Sequence, residues 1–121
     1  MEIIDPKEAR EMVERYKKHR KAIIDKHHGI RDTESTWVSV DHLKKFVENL
    51  PSNATGVRFH FGVHHDKHEI SPNQMSIAFA PTVAGPDGKD IDALSSEEAV
   101  AKTGAILPVY NRGKDCPPSC P

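Results

Sequence analysis

The chain has 121 residues, of which 36% are apolar and 29% charged, and its formal net charge is −1 with its eight histidines neutral. This length and composition predict one globular domain and exclude a disordered chain. The low net charge argues against nucleic acid or an anionic membrane as a partner held by overall electrostatic attraction. No apolar run reaches the ~18 residues of a membrane span, and the first residues lack the pattern of a secretory signal, so we expect a cytoplasmic protein.

The first predicted element is a long amphipathic helix over residues 6–28. Asp5 and Pro6 are typical of a helix start, and Gly29 is typical of a helix end. Apolar residues recur at spacings of three, four and seven, which places them in one stripe. They are Ala9, Met12, Val13, Tyr16, Ile23, Ile24 and His27. Acids are interspersed with the basic residues, so we interpret the other face as solvated and not as a nucleic-acid surface.

A short strand and a second helix follow. Residues 36–40 have strand composition, and we expect Trp37 to be an anchor of the core. Ser39 or Asp41 is the predicted cap of a second helix that ends before Pro51. Its inward stripe is Leu43, Phe46, Val47 and Leu50.

A β-hairpin over residues 57–83 is the predicted centre of the fold. Apolar residues alternate with other residues over 57–63 and again over 75–80, and a period of two is typical of half-buried strands. The polar link between the two runs predicts an antiparallel pair with a long loop. We expect the apolar side to pack against both helices. The predicted contacts join Phe59, Phe61, Ile77 and Phe79 to Met12, Tyr16, Phe46 and Val47.

The remainder is predicted to contain short elements. Residues 84–89 favour a turn, 90–94 a short edge strand, 95–102 a short helix, and 106–110 an extended segment. The tail over 111–121 is predicted to be irregular because prolines occupy three of its last five positions. Together these elements predict a single α+β domain over residues 1–121. Its antiparallel sheet has three to four strands, with two main helices packed on one face.

The order of these elements and two short motifs resemble a group of small bacterial proteins with no assigned activity. One motif is the strand Gly56-Val57-Arg58-Phe59-His60-Phe61-Gly62, and the other is the tail Cys116-Pro117-Pro118-Ser119-Cys120. The resemblance covers most of the chain and implies no particular activity. His60 stands where the group is expected to have tyrosine, and the His-rich loop after this strand is not part of the pattern.

That His-rich loop is the sharpest local signal for chemistry. It contains His64, His65, His68 and Glu69, and His60 precedes it on the strand. Neutral imidazole binds zinc and other transition metals, but a site needs three or four converging ligands. His60 and His64 lie roughly 13 Å apart on an extended strand, so they cannot share one ion unless the strand bends. A solvated loop, adventitious metal capture and a genuine metal site all stay open.

The second signal is the pair Cys116 and Cys120, which encloses three residues. This spacing differs from the two-residue spacing of redox motifs and zinc knuckles. A structural tail packed on the domain, a local disulfide and a role in metal binding stay open as interpretations. A zinc site of the Cys2His2 type would combine the two cysteines with His64 and His68. In a reducing cytoplasm we do not expect so short a bridge to be a structural requirement.

Arg58 and His60, on the polar side of the first hairpin strand, are the candidate ligand-binding residues. An Arg in mid-strand is also commonly paired with an acid, and Glu34 and Asp92 are the candidates here. The sequence has no nucleophile-elbow, Walker or Gly-rich phosphate motif. An enzyme would therefore have to use Arg58, His60 and a cysteine thiol, and this is the least favoured class.

The sequence predicts a non-enzymatic binding or interaction module for an unidentified protein or small molecule. The alternative is a small metal-binding protein of the zinc type. That alternative would use His64, His65 and His68, possibly with Cys116 and Cys120. No cofactor is implied firmly, and zinc or another transition metal is the candidate.

Overall fold

Helices and antiparallel strands alternate along the chain in the computed structural model, which describes residues 1–111 and 113–120. The helices are α1 (Pro6–Tyr16), α2 (Ala22–His28), α3 (Val40–Glu48) and α4 (Glu97–Thr103), with a π-helical turn (Lys17–Lys21) between α1 and α2. The strands are β1 (Ser35–Trp37), β2 (Ala54–Val63), β3 (Met75–Ala84), β4 (Asp90–Ile91) and β5 (Lys114–Cys116). One sheet has the order β2-β3-β4, and β1 pairs with β5 in a second. The predicted α+β class is confirmed.

The long N-terminal helix begins and ends where the sequence predicted. The Asp5 carboxylate accepts a hydrogen bond from the Lys7 N–H, and Gly29 ends α2 in the left-handed conformation, with a φ of 63°. The π-helical turn was not predicted, and its wider turn shifts the phase of the apolar stripe. No described residue of α1, the π turn or α2 is buried, so most of the stripe faces solvent.

Polar contacts fasten this helix to the sheet. The Tyr16 hydroxyl donates to the carbonyl of Thr33, and the Asp25 carboxylate accepts from the Asp32 N–H at 2.6 Å. The buried Asp32 carboxylate in turn accepts from the Met75 N–H at 2.7 Å, at the start of β3. Burial alone would raise the pKa of Asp25, but its bonds from Lys21 and the Asp32 N–H outweigh this effect and lower the pKa.

The register of β2 and β3 decides which backbone groups of β2 point outward. Phe59 pairs with Phe79, and Phe61 pairs with Ile77. In the same register the His64 N–H donates to the carbonyl of Gln74 at 2.9 Å. Hydrogen-bonded and non-hydrogen-bonded pairs alternate in an antiparallel ladder, so even-numbered residues of β2 bond to β3. The N–H and C=O groups of the odd-numbered residues face the other way, and no strand of the described chain pairs with that side.

The opposite side of β3 is occupied at two places. Phe79 exchanges two backbone hydrogen bonds with Tyr110, at 2.7 and 2.9 Å, and the end of β3 pairs with β4. Pro81 lies between these two contacts. Its position needs no N–H donor, because the register turns that backbone nitrogen away from β2.

The interior of the described chain is more polar than predicted. The buried apolar residues are Phe79, Ala80, Pro81, Val83, Ile91 and Pro117. The buried polar or charged residues are Asp32, Thr33, Ser71, Gln74, Ser76, Thr82, Asp92 and Asp115. Large apolar side chains lie mainly outside this interior. A surface of this kind is typical of a chain that buries more of itself against a partner.

The predicted packing of the hairpin is right at Phe79 and wrong at Phe61. Phe79 contacts Phe46 of α3 and Phe59 of β2, with ring centroids 6.3 and 5.1 Å apart. Phe61 is 77% exposed, and the predicted helix partners Met12 and Val47 are exposed as well. The alternation of apolar and polar residues predicts which face of a strand is apolar, but it does not predict how far a helix extends over that face. Here α3 covers the Phe79 end only.

We predict that Phe79→Ala and Phe61→Ala have different effects on the free energy of unfolding. Phe79→Ala empties a buried position and should cost about 3–5 kcal/mol. Phe61→Ala should cost less than about 1 kcal/mol in the monomer, because the side chain is already solvated. Urea unfolding at low protein concentration measures both. Equal losses would show that Phe61 is covered within one chain.

Candidate functional site

The buried carboxylate of Asp92 organises the polar side of the hairpin. One of its oxygens accepts from Nη1 of Arg58 and also contacts Nε2 of His60, both at 2.8 Å. The other oxygen accepts from the Leu94 N–H at 2.8 Å. This confirms the Arg58–Asp92 pair, which the sequence suggested as the alternative to a ligand contact. The two predicted ligand-binding residues are therefore both engaged with one internal acid.

Small residues on β3 make this contact possible. Arg58 pairs with Ala80 and His60 pairs with Ala78, while Asp92 follows β4 on the far side of β3. Because the alanine side chains are short, the long side chains of β2 cross over β3 to reach the carboxylate. The Arg58–His60–Asp92 cluster thus ties the two outer strands of the sheet together.

The environment of Asp92 stabilises its ionised form. Burial alone would raise the pKa of this carboxyl group. Hydrogen bonds from His60, the Leu94 N–H and Arg58 outweigh burial and hold the pKa of Asp92 below its usual value. The cluster is therefore a hydrogen-bonded network in which the Arg58 guanidinium offsets the buried negative charge of Asp92.

A second buried acid meets the His-rich loop. Nε2 of His64 lies 2.8 Å from the carboxylate of Asp115 on β5, and the His68 ring stacks on His64 with centroids 3.9 Å apart. Nδ1 of His68 accepts from the Ser71 N–H at 2.9 Å. The loop is thus partly ordered against the C-terminal tail. The His64–Asp115 contact spans 51 residues of sequence, and no local pattern pointed to it.

The predicted metal ligands do not converge. Within residues 1–111 and 113–120, no three His, Cys, Asp or Glu side chains are placed to hold one ion. His65 turns toward the exposed Asp66, away from His64 and His68. Cys116 and Cys120 are joined to each other in a disulfide, so neither offers a thiolate ligand in this state.

The tail combines two of the open interpretations, a local disulfide and a structural segment packed on the domain. Gln74 donates a side-chain hydrogen bond to the carbonyl of Pro117 at 2.7 Å, and the Glu34 N–H donates to that of Cys116. The prediction of an irregular segment over 111–121 is wrong for β5, which pairs with β1. The three residues of β5 precede the proline run and keep their N–H groups. Arg112 and Pro121, also within that prediction, lie outside the described residues.

The strand β1 does not bring its tryptophan into the core. Trp37 is 44% exposed, and Nζ of Lys114 lies 5.4 Å from the centre of its ring. The prediction of a core anchor at this position is wrong. The pairing of β1 with a strand from the tail, instead of with the central sheet, leaves this side chain on the surface.

The apolar side of the hairpin is the largest feature that the sequence analysis misjudged. Phe59, Phe61 and Val63 are 57%, 77% and 71% exposed, and they alternate along β2, whose outer side pairs with no strand of the described residues. We call the outward backbone groups of residues 57, 59, 61 and 63, together with their side chains, the β2 edge. One pattern in the sequence does indicate an unprotected β2 edge. None of these four positions carries Lys or Pro, the residues that commonly protect an edge strand.

An aromatic row connects the β2 edge to a cleft beside α3. The row runs from Phe59 through Phe79 to Phe46, and the Phe46 ring lies 5.0 Å from that of Tyr110. The cleft has a volume of about 240 Å³. Its lining residues are Val38, His42, Leu43, Lys45, Phe46, Asn49, Phe79 and Tyr110. The aromatic contacts therefore connect α3 to the outer strand through the buried ring of Phe79.

Comparisons with protein families, curated proteins and solved structures found no match to this chain. The resemblance of the β2 and tail motifs to a group of small bacterial proteins therefore stays a prediction. Among the described residues, no helix has both the length and the apolar character needed to cross a bilayer.

We predict that Asp92→Asn destabilises the protein in a pH-dependent way. The pKa of Asp92 in the fold lies below the ~3.9 of an unfolded chain, so its contribution is complete above that value and lost as the pH falls through the folded pKa. At neutral pH we expect a loss of roughly 2–3 kcal/mol in the free energy of unfolding, because Arg58 and His60 lose an ionised acceptor but still reach water.

Urea unfolding of the wild type and Asp92→Asn at neutral pH and near pH 3 measures this effect. The difference between the two proteins should shrink at the lower pH. Asp66→Asn, on the exposed loop, is the control and should change the free energy of unfolding by less than about 0.5 kcal/mol at either pH. A difference for Asp92→Asn that is constant with pH would contradict the ion-pair account.

Proposed function

We propose that this protein is a non-enzymatic interaction module that binds an extended polypeptide segment along the β2 edge. The observation that carries the proposal is the register of β2 and β3, which turns alternate N–H and C=O groups of β2 away from the sheet. The exposed side chains of Phe59, Phe61 and Val63 stand beside these groups. A strand that pairs with an open edge gains main-chain hydrogen bonds, and its alternate side chains supply specificity.

The chemistry of the β2 edge favours a partner strand over water. Soluble proteins usually protect an edge with Lys, Pro, a bulge or a covering segment. The bulge of β2 lies near Gly56, outside the regular part of the strand. The single cation within that part, Arg58, lies on the polar side and is held by Asp92 and the carbonyl of Asp90. The outward positions carry valine and phenylalanine only.

These features also describe the expected partner. It is a polypeptide segment in extended conformation, with apolar residues at every second position to meet Phe59 and Phe61. Arg58 and His60 support the site from the opposite face by fixing β2 to the rest of the sheet through Asp92. Arg58 already donates to the Asp92 carboxylate and the Asp90 carbonyl, which makes an anionic small molecule a weaker candidate ligand.

The other predicted functions have less support. A zinc-type site would need His64 and His68 together with further ligands, and the sulfur atoms of Cys116 and Cys120 are bonded to each other. The same bond removes the thiol that an enzyme using Arg58 and His60 would need. The cytoplasmic location stays a prediction, and a persistent disulfide would favour an oxidising compartment instead.

A short peptide of alternating valine and threonine, with lysine at each end, is a suitable probe of the proposed function. In two-dimensional amide NMR spectra of the isotope-labelled protein, we expect the peptide to shift the signals of residues 57–63 most. The amides of Phe59 and Phe61 should also become protected from exchange, because each gains an acceptor. The same peptide with its central residues replaced by proline is the control and should not bind. Equal shifts with both peptides, or shifts confined to α1 and α2, would contradict the proposal.

A further inference from the structure

We propose that the strand that occupies the β2 edge is β2 of a second copy of this chain, paired antiparallel about a twofold axis that passes beside His60. This inference rests on the proposed function, because it names the partner of the same edge. The result is a continuous sheet of six strands in the order β4-β3-β2-β2-β3-β4. A twofold interface uses the same surface on both copies, so the edge has to complement itself.

The regular part of β2 meets that requirement. It extends from Val57, after the bulge, to Val63, before the loop, and His60 is its midpoint. An antiparallel pairing centred there sets Phe59 opposite the partner's Phe61 and Val57 opposite the partner's Val63. All of these residues have outward backbone groups, so every outward N–H and C=O from 57 to 63 finds an acceptor or donor.

The side chains of both faces also suit this register. Phenylalanine lies opposite phenylalanine on the apolar face, and aromatic cross-strand pairs stabilise a sheet. On the polar face Arg58 lies opposite the partner's Gly62, so no charge stands directly across from it. A pairing centred on Phe59 would instead set Arg58 opposite the partner's His60, and one centred on Phe61 would set it opposite the partner's His64. Each of those registers sets the permanently charged Arg58 opposite a histidine, whereas the register centred on His60 sets the two His60 side chains opposite each other.

The area available predicts a reversible dimer. The exposed parts of Phe59 and Phe61 together exceed one whole phenylalanine, which is roughly 150–250 Å². Val63 and the strand backbone add to this, but the sum stays below the ~800 Å² per partner of a standard interface. We therefore expect dissociation in the micromolar range. The net charge of −1 adds little repulsion between two copies.

Sedimentation of the whole chain over a concentration series from about 1 to 500 µM tests whether the dimer forms, and we expect a monomer–dimer equilibrium. Phe61→Pro removes an outward N–H but no bond to β3, so the chain should fold and its dissociation constant should rise at least about tenfold. Phe61→Leu keeps the N–H and should have a smaller effect. A wild-type chain that stays monomeric at the highest concentration overturns the inference, as does a Pro variant that folds and dimerises normally.

Oxidative cross-linking tests the register. In the proposed dimer the two residues at position 60 form a non-hydrogen-bonded pair with Cα atoms about 4.5 Å apart, which a disulfide spans. His60→Cys should give a covalent dimer. His60→Ser is the control, because it removes the imidazole without adding a thiol and shows whether the fold tolerates that loss. Gly62→Cys should stay monomeric, because its symmetry mate lies roughly 13 Å away. The described residues contain no free cysteine that would compete.

The outcomes separate the two proposals. Efficient cross-linking of Gly62→Cys with none of His60→Cys would overturn the proposed register. A monomeric wild-type chain whose β2 amides respond to the valine–threonine peptide would overturn the second-copy inference and leave the proposed function in place. A monomeric chain that does not respond to the peptide would overturn both.

Discussion

The antiparallel register of β2 and β3 is the constraint on which the rest of this structure depends. It turns the even-numbered side chains of β2 toward the buried acid at Asp92 and the odd-numbered ones to the apolar side. The same register turns the backbone groups of Phe59 and Phe61 outward. A shift of one residue would reverse both assignments, leaving Asp92 without its bonds to Arg58 and His60 and placing Arg58 on the apolar face.

Buried acids connect the elements of this fold, a role that an apolar core has in other small domains. Asp32 joins the N-terminal helix to β3, Asp92 joins β2 to β4, and Asp115 joins the tail to the His-rich loop. Asp32 and Asp92 accept hydrogen bonds from N–H donors, which offsets the free energy that burying a charge costs, while one oxygen of Asp115 contacts His64 and the other is buried without a partner. The apolar side chains that this arrangement leaves outside are then available for contact with another polypeptide.

The elements that depend on local sequence were predictable. The cap at Asp5, the stop at Gly29 and the alternation over 57–63 each act within a few residues, and the structure agrees with all three. The Arg58–Asp92 pair was also suggested, since an Arg in mid-strand needs a partner.

Features that depend on contacts between distant segments were not predictable. The pairing of β5 with β1 and the contact of His64 with Asp115 join segments that are far apart in the sequence. No periodicity in the sequence predicts such contacts. The burial of Phe61 was predicted wrongly because alternation shows that one face of a strand is apolar, but not whether the same chain covers that face. A metal site in the His-rich loop was a hypothesis about convergence, which spacing alone does not determine.

The central claim is that the odd-numbered amides of β2 face outward, and hydrogen–deuterium exchange at single-residue resolution tests it most directly. In dilute protein, where the chain is monomeric, the amides of Phe59 and Phe61 should exchange rapidly, while those of Arg58, His60 and Gly62 should be protected by their bonds to β3. Protection of Phe59 and Phe61 should then appear as the protein concentration rises. Equal protection of all five amides in dilute protein would contradict the account, because it would mean that the edge is already paired or covered within one chain.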